Sequence, residues 1–309
     1  MQMWQMPTRP FGKTGERVGL LGMGVWVEDD ERQHIEIVRR GIDEGVSFQD
    51  TSWDYHEGRS ETRLGRALKG GYRERAFLMT KIDARTKRAA AEQIRQSMDR
   101  LGVEFVDLLQ FHEVIRMWEP DRIFAEDGAM HAVIEARKAG LVRFVGFTGH
   151  KDPEIHLKML DVAERHDFRF DAHQLPLNAY DPHYRSFEKA VLPRLLKEGI
   201  AVIGMKPLGG RYFLEDGGPL SKPELLAYTM SLPVSVCLSA ANSMRHLEES
   251  LNATRAFTFS PPAPHDIVEL RERTRLTNED GRFERYKTTD RFDGTSRNPE
   301  WLGTPEMAA

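Results

Sequence analysis

Eight short apolar runs punctuate this chain, at 19–25, 46–48, 77–81, 105–111, 142–147, 170–175, 200–205 and 234–238. Runs of that length suit buried extended segments. The intervals between them carry helical spacing: Ile35, Val38 and Ile42 in 31–44, then Ile94, Met98 and Leu101 in 90–101. Met130, Val133 and Ile134 mark 128–139, which Gly140 terminates, and Phe187, Val191, Leu195 and Leu196 stripe another interval. Strand then helix, eight times over, predicts an α/β fold with a parallel sheet, and closure into a (β/α)8 TIM barrel accommodates eight strands most simply. An open doubly wound sheet is the rival. It would want Gly-x-Gly-x-x-Gly after its first strand, and Gly22-Met23-Gly24 stands there without the third glycine. Those two glycines would let the backbone approach a ligand at the strand end. Ahead of them, Gly12 and the Thr14-Gly15 pair between apolar residues suggest an N-terminal β-hairpin. Without a linker, repeat or low-complexity stretch, 1–309 is expected to form one barrel domain.

Composition narrows the function classes. A net charge of −4 gives no reason to expect nucleic acid or an anionic membrane as partner. No apolar run approaches membrane-spanning length, and the first residues lack a basic flank and an apolar core, so no signal peptide is expected and a cytoplasmic location is the default. Cys237, the one cysteine, sits in an apolar strand-like run and reads as an inert core thiol. His112, His150 and His173 raise the question of a metal. No His-x-x-x-His pair accompanies them and Lys81 would repel a cation, so no metal site is expected.

The strand tips carry the chemistry. The 46–48 run delivers Asp50 at its end, with Tyr55 five residues on in a polar and aromatic loop; 77–81 ends in Lys81, and 105–111 leads to His112. In a barrel such tips converge on one face. Singly, each has a plainer reading: a turn cap for Asp50, a packed ring for Tyr55, a solvated strand end for Lys81, a hydrogen-bonded core-edge histidine for His112. Together, in order, the contexts Phe48-Gln-Asp-Thr-Ser-Trp-Asp-Tyr55, Met79-Thr-Lys81 and Asp107-Leu-Leu-Gln-Phe-His112 resemble the motifs of the aldo-keto reductase superfamily, and the resemblance runs from about Arg9 to the helix near Leu251.

The resemblance implies a reductase that adds hydride to a carbonyl carbon while Tyr55 gives a proton to the oxygen. Lys81 would lower the phenol's pKa from its usual value of about 10, Asp50 would hold Lys81, and His112 would orient the substrate oxygen. It also implies a nicotinamide dinucleotide, NADP(H) favoured over NAD(H), and a small-molecule carbonyl substrate. The cofactor would meet Gly22, Met23, Gly24 and Asp50 at the first strand ends. Thr148, Gly149, His150 and Gln174 would hold the carboxamide, with Asn178 nearby. Met205 stands where many members stack an aromatic ring. Lys206, Pro207, Leu208, Gly209 and Gly210 form the loop over the ring and pyrophosphate. Ala240, Asn242, Ser243, Arg245, His246, Glu249 and Ser250 match the adenosine loop and helix. There Ser250 replaces a usual Asn, and alanine replaces the basic loop residue, leaving Ser243 and Arg245 to receive a 2′-phosphate. The rival function is a cofactor-sensing regulatory subunit with little turnover.

The segment from about 279 to the end is polar with spaced aromatics, Phe283, Tyr286, Phe292 and Trp301. Leaving these in water would be costly, and in the resembled family this segment shapes the substrate pocket, so it is expected to fold over the barrel mouth. Trp26, Trp53 and 113–118 are the other residues expected to shape that pocket. Neither substrate nor oligomeric state is legible.

Overall fold

The computed structural model describes residues 4–25, 30–215 and 217–303. Trp26 and the end of the C-terminal extension lie outside the described residues. Among the described residues, ten strands form a hairpin, β1 (Thr8–Pro10) and β2 (Arg17–Gly19), and a closed barrel. The barrel strands are β3 (Leu21–Gly24), β4 (Phe48–Asp50), β5 (Phe77–Ile82), β6 (Val106–Phe111), β7 (Val142–Thr148), β8 (Ala172–Pro176), β9 (Ala201–Met205) and β10 (Val236–Leu238). Neighbours pair in parallel and β10 closes onto β3. Every expected strand is present, and the closed order excludes the open-sheet rival.

The period-two alternation of strands explains what fills the barrel. Phe48, Phe77 and Met79, Leu108, Phe144, Ala172, Ala201 and Ile203, and Val236 point inward and form one apolar cluster. The hairpin contributes Phe11 and Val18 to it, sealing the N-terminal end. The Phe11 ring lies 4.8 Å from that of Phe77 and 6.0 Å from that of Phe48. The opposite phase faces the helices. Met23, for instance, joins Ile37 and Val38 in the outer core, and a β-carbon on Gly41 of that helix would fall 2.4 Å from Met23 Cε. Cys237 is buried, and burial pushes its thiol up to about 12.

Two helices escape the hydrophobic pattern. Arg59–Ala67 buries Ser60, Glu61 and Arg63 beside Leu64 and Gly65, so its inner face is largely polar. Thr80 donates to Glu61 at 2.6 Å and Arg100 reaches the same carboxylate at 3.3 Å. Lys222–Ser231 buries Leu225, Leu226, Tyr228, Thr229 and Met230 consecutively or nearly so, which leaves no stripe to read. In the first of these, a β-carbon on Gly65 would meet the carbonyl oxygen of Leu101 at 2.2 Å. Gly65→Ala gains about 1 kcal/mol of helix propensity, but a clash against backbone costs about 1–3 kcal/mol. A lowered thermal midpoint is therefore expected; an unchanged or raised one would show that this helix and Lys87–Leu101 separate freely.

Candidate active site

The inward phase that seals the lower barrel with apolar residues carries different side chains two residues further along each strand. Phe48 is followed in phase by Asp50, Met79 by Lys81, Leu108 by Gln110 and then His112, Gly146 by Thr148, Ala172 by Gln174, and Ile203 by Met205. The register places Asp50 beside Met79, Lys81 beside Gln110 and Thr148 beside Gln174. These side chains therefore form the upper layer of the barrel interior.

The four acid–base candidates meet there. The Lys81 ammonium, almost wholly buried, is ion-paired with Asp50. It also donates to the Thr51 carbonyl at 2.8 Å and to the Tyr55 hydroxyl at 3.4 Å, and it lies 4.6 Å from the centre of the Tyr55 ring. The His112 ring stands edge-on to Tyr55, centroids 5.5 Å apart. Non-glycine residues in the left-handed region gather around this mouth: His56 and Glu57 after Tyr55, Glu113 after His112, and Lys206 after β9. Such backbone strain is held in place by surrounding structure and concentrates at functional sites.

The electrostatics correct one expectation. Tyr55 does not end below the usual phenol value, although Lys81 lies beside it. Burial raises its pKa well above the usual phenol value, and Asp50, Asp54, Glu113 and Asp83 raise it further. The Lys81 charge is already balanced by Asp50, and three more carboxylates lie close: Asp54 on Tyr55's own loop, and Asp83 and Glu113 from loops that are remote in sequence. The resting phenol is thus held firmly protonated, the form a proton donor must have.

Two neighbours went unread in the sequence. Asp83, two residues beyond Lys81, accepts from His112 Nδ1 at 2.8 Å. Arg85, wholly buried, donates to the main-chain carbonyls of Asp83 at 2.8 Å, Glu113 at 3.2 Å and His112. The alternation Lys81-x-Asp83 was the available signal, since period two puts both on one face. Among the described residues, Asp54, Asp83 and His112 form the set of potential metal-ligand atoms, within 4.8 Å of one another. The ring nitrogen turned to them is the one hydrogen-bonded to Asp83. His150 and His173 lie elsewhere, paired with Asp293 and His156.

The cofactor candidates divide. Gln174 Nε2 lies 3.5 Å from Asp50 Oδ2 and 3.7 Å from Met205 Sδ, and Thr148 Oγ1 is 3.9 Å from the same sulfur. Gln174 is buried, yet its Oε1 has no hydrogen-bond partner. A buried amide oxygen left without a donor is costly, and a carboxamide N–H would satisfy it, so these residues fit a nicotinamide. A β-carbon on Gly24 would sit 3.2 Å from the Asp50 carbonyl, at the same strand end. Lys206 lies against the Phe292 ring at 4.5 Å, and burial pulls its pKa down to about 8. At the far end, Ser243 caps the helix Met244–Phe259 by accepting from His246 N at 3.3 Å. Lys222 bridges the His246 carbonyl and Glu249, both at 3.1 Å, and Arg245 lies 3.3 Å from Glu249. Lys222 is a basic group here that the sequence motifs did not reveal.

Other candidates have their side chain, or the space where one would stand, on a packed side of the chain. The Met23 side chain packs outward. Gly22 makes room for Val236, Gly149 for the Val114 carbonyl and His156, and Gly209 for Phe213. Ser250 is buried against Ser239, 3.2 Å away. Asn178 is occupied, accepting from Tyr180 N and Asp181 N and donating to Tyr286.

The C-terminal segment crosses this mouth. Asp293 pairs with His150 at 3.0 Å and Lys151 at 2.8 Å, and Thr295 N donates to Glu113 at 2.9 Å. The Trp301 carbonyl accepts from Arg85 N at 3.2 Å, and its ring stands edge-on to Trp53.

Residues 19–224 match the sequence model of the Aldo/keto reductase family. The chain is 28% identical over 201 residues to "Aldo-keto reductase YhdN" of Bacillus subtilis, spanning 59% of this chain and 55% of that relative. It is 28% identical over 239 residues to L-galactose dehydrogenase of Arabidopsis thaliana, spanning 70% of each. To L-glyceraldehyde 3-phosphate reductase of Escherichia coli K12 it is 25% identical over 228 residues, 66% of this chain and 62% of the relative. It thus spans 55% to 70% of the length of these relatives. Among solved structures, the thermostable aldo-keto reductase Tm1743, in complex with the inhibitor epalrestat, superposes with a TM-score of 0.69 at 22% identity, covering 87% of this chain and 100% of that one. Aldo-keto reductase AKR11C1 from Bacillus halodurans, in its holo form, gives 0.69 at 20% identity, covering 87% and 96%. At such identities these two speak for the fold. With the family match running from the first barrel strand into the helix after β9, the chain belongs to the aldo/keto reductase family.

Proposed function

We propose that this protein is a nicotinamide-dependent oxidoreductase that reduces an aldehyde or ketone to an alcohol, with Tyr55 as proton donor and 1–309 acting as one catalytic barrel domain. The observation that carries the reading is the Lys81 ammonium held by Asp50 and the Thr51 carbonyl against the Tyr55 hydroxyl, a short reach from the unpartnered Gln174 oxygen. Gln174 and Thr148 would hold the carboxamide of a reduced nicotinamide, which would supply the hydride. Tyr55 passes its proton to the carbonyl oxygen as the carbon–hydrogen bond forms. The phenolate left behind lies beside Lys81, whose charge stabilises it, and Asp50 keeps that ammonium in place. His112 presents its free ring nitrogen to the same oxygen. A cytoplasmic setting goes with this chemistry; among the described residues no helix is long and apolar enough to cross a membrane.

For the cofactor, NADPH is the proposed choice over NADH. Ser243, Arg245 and His246 stand at a helix N-terminus, where anions bind well, and Lys222 adds a half-buried charge there. Losing one charge-assisted hydrogen bond costs about 1.5–3 kcal/mol. Lys222→Ala is therefore expected to weaken NADPH about tenfold or more while changing NADH little, read by quenching of tryptophan fluorescence. Equal wild-type affinities would remove the 2′-phosphate assignment, and no binding of either would remove the cofactor reading.

The packing of Phe292 on Lys206 and of Asp293 on His150 favours a second reading, a cofactor-sensing subunit whose covered mouth turns over little substrate. Tight NADPH binding without turnover on a broad carbonyl panel would select it.

A further inference from the structure

One nitrogen of the His112 ring is already committed. Nδ1 lies 2.8 Å from Asp83 Oδ1, 3.3 Å from Ser52 Oγ and 3.5 Å from Asp54 Oδ1. The nearest of these is a carboxylate oxygen, and an ionised carboxylate only accepts, so with Asp83 ionised Nδ1 carries a hydrogen whether the ring is neutral or charged. Asp83 is wholly buried, and its other oxygen has no hydrogen-bond partner, so the imidazole is what this side chain serves. Backbone supports both ends of the pair. Gln93 accepts from Asp83 N at 2.9 Å, and the Arg85 guanidinium joins the Asp83 and His112 carbonyls.

With Nδ1 fixed as a donor, Nε2 of the neutral ring has only a lone pair, which a carbonyl oxygen would repel. Only the imidazolium offers an N–H from Nε2. We propose that Asp83 is a positioning residue that holds His112 with its Nδ1–H turned into the barrel wall, so that the ring meets the substrate's carbonyl oxygen as an imidazolium, a second hydrogen-bond donor beside Tyr55. This rests on the reductase reading above.

The surrounding charges agree. Asp83 faces the ring from the loop after β5, Asp54 and Ser52 from the loop after β4, and Glu113 from the next position. Tyr55 stands edge-on, with Lys81 behind it. Burial pulls the imidazole down, but Asp83, Asp54 and Glu113 together push it up, and it ends above its ordinary value. Burial lifts Asp83 itself to about 6.

The test starts with nitrogen NMR of the ligand-free wild-type protein, the His112 signals assigned by their loss in His112→Gln. The neutral ring is expected as the Nδ1–H tautomer, and it is expected to charge with a midpoint above 6.5. Asp83→Asn keeps the shape and removes the charge; the midpoint is expected to fall by about one pH unit or more. For carbonyl reduction, kcat should fall about 10- to 100-fold with a much smaller change in KM. Because the imidazolium is the working form, activity is lost as pH rises, and that loss should begin at lower pH in the variant. Asp83→Glu, which restores the carboxylate, should recover part of kcat. A wild-type ring found as the Nε2–H tautomer would overturn the proposal even if Asp83→Asn did not fold. So would an Asp83→Asn enzyme with wild-type kcat and pH profile. A protein that titrates as expected but reduces no carbonyl would sink the reductase reading and leave the Asp83–His112 pairing standing.

Discussion

Tyr55→Phe is expected to lower kcat for carbonyl reduction by about 10²- to 10⁴-fold, the range for losing a positioned proton donor, or about 3–5 kcal/mol of barrier. Cofactor affinity should stay close to wild type. The substitution is informative because it removes one oxygen and little else. The ring keeps its edge contact with His112 and its place against the Lys81 ammonium. Lys81 keeps Asp50 and the Thr51 carbonyl, so no buried charge is stranded. A loss of activity with intact binding therefore reports the proton alone. Wild-type turnover in the variant would remove Tyr55 from the chemistry.

Lys287→Met is expected to destabilise the protein by about 3–5 kcal/mol, the scale for breaking a buried ion pair by deleting one partner. The Lys287 ammonium sits 2.8 Å from Asp181, 2.8 Å from Glu284 and 2.7 Å from the Tyr184 carbonyl, with the Lys287, Asp181 and Glu284 side chains fully buried. Methionine would fill the space and leave two carboxylates facing each other. Burial already raises Glu284 to about 7. A carboxyl raised in the folded state is neutral and tolerated below that pH and costs stability as pH climbs through it. Without the ammonium that pKa rises further, so the deficit should be larger at mildly alkaline pH than at pH near 5. Thermal unfolding at both pH values reads this out. Equal deficits would show that the carboxylates find other partners. Hydrogen exchange should quicken in 278–303, because this cluster fastens the segment whose Phe292, Asp293 and Thr295 reach the mouth.

The barrel was legible because its interior is apolar below and its strands alternate strictly, so each run announced itself and each tip could be placed on one face. The same alternation explains the acid–base cluster: Asp50, Lys81 and His112 share the inward phase of their strands, and Tyr55 follows the first. Phase also decides which side chains stay out of the upper layer. Met23 falls on the outward phase of β3, and Ser250 shares the buried side of its helix with Leu247 and Leu251. The helices Arg59–Ala67 and Lys222–Ser231 were hidden because one buries polar side chains and the other buries nearly every side. The direction of the Tyr55 shift was beyond sequence altogether. It depends first on burial, and then on Asp83 and Glu113 arriving from separate loops to join the neighbouring Asp54, whereas the lysine–tyrosine pairing alone points the other way.

The most direct test of the central claim follows a labelled hydrogen. The protein is incubated with aldehydes and ketones and with NADPH deuterated on one or the other face of nicotinamide carbon 4, and the alcohol is examined by mass spectrometry. The account predicts deuterium on the former carbonyl carbon from one face only, with Tyr55→Phe forming little product. Product without deuterium from either face, or no consumption of NADPH with any carbonyl while the cofactor binds, would contradict it.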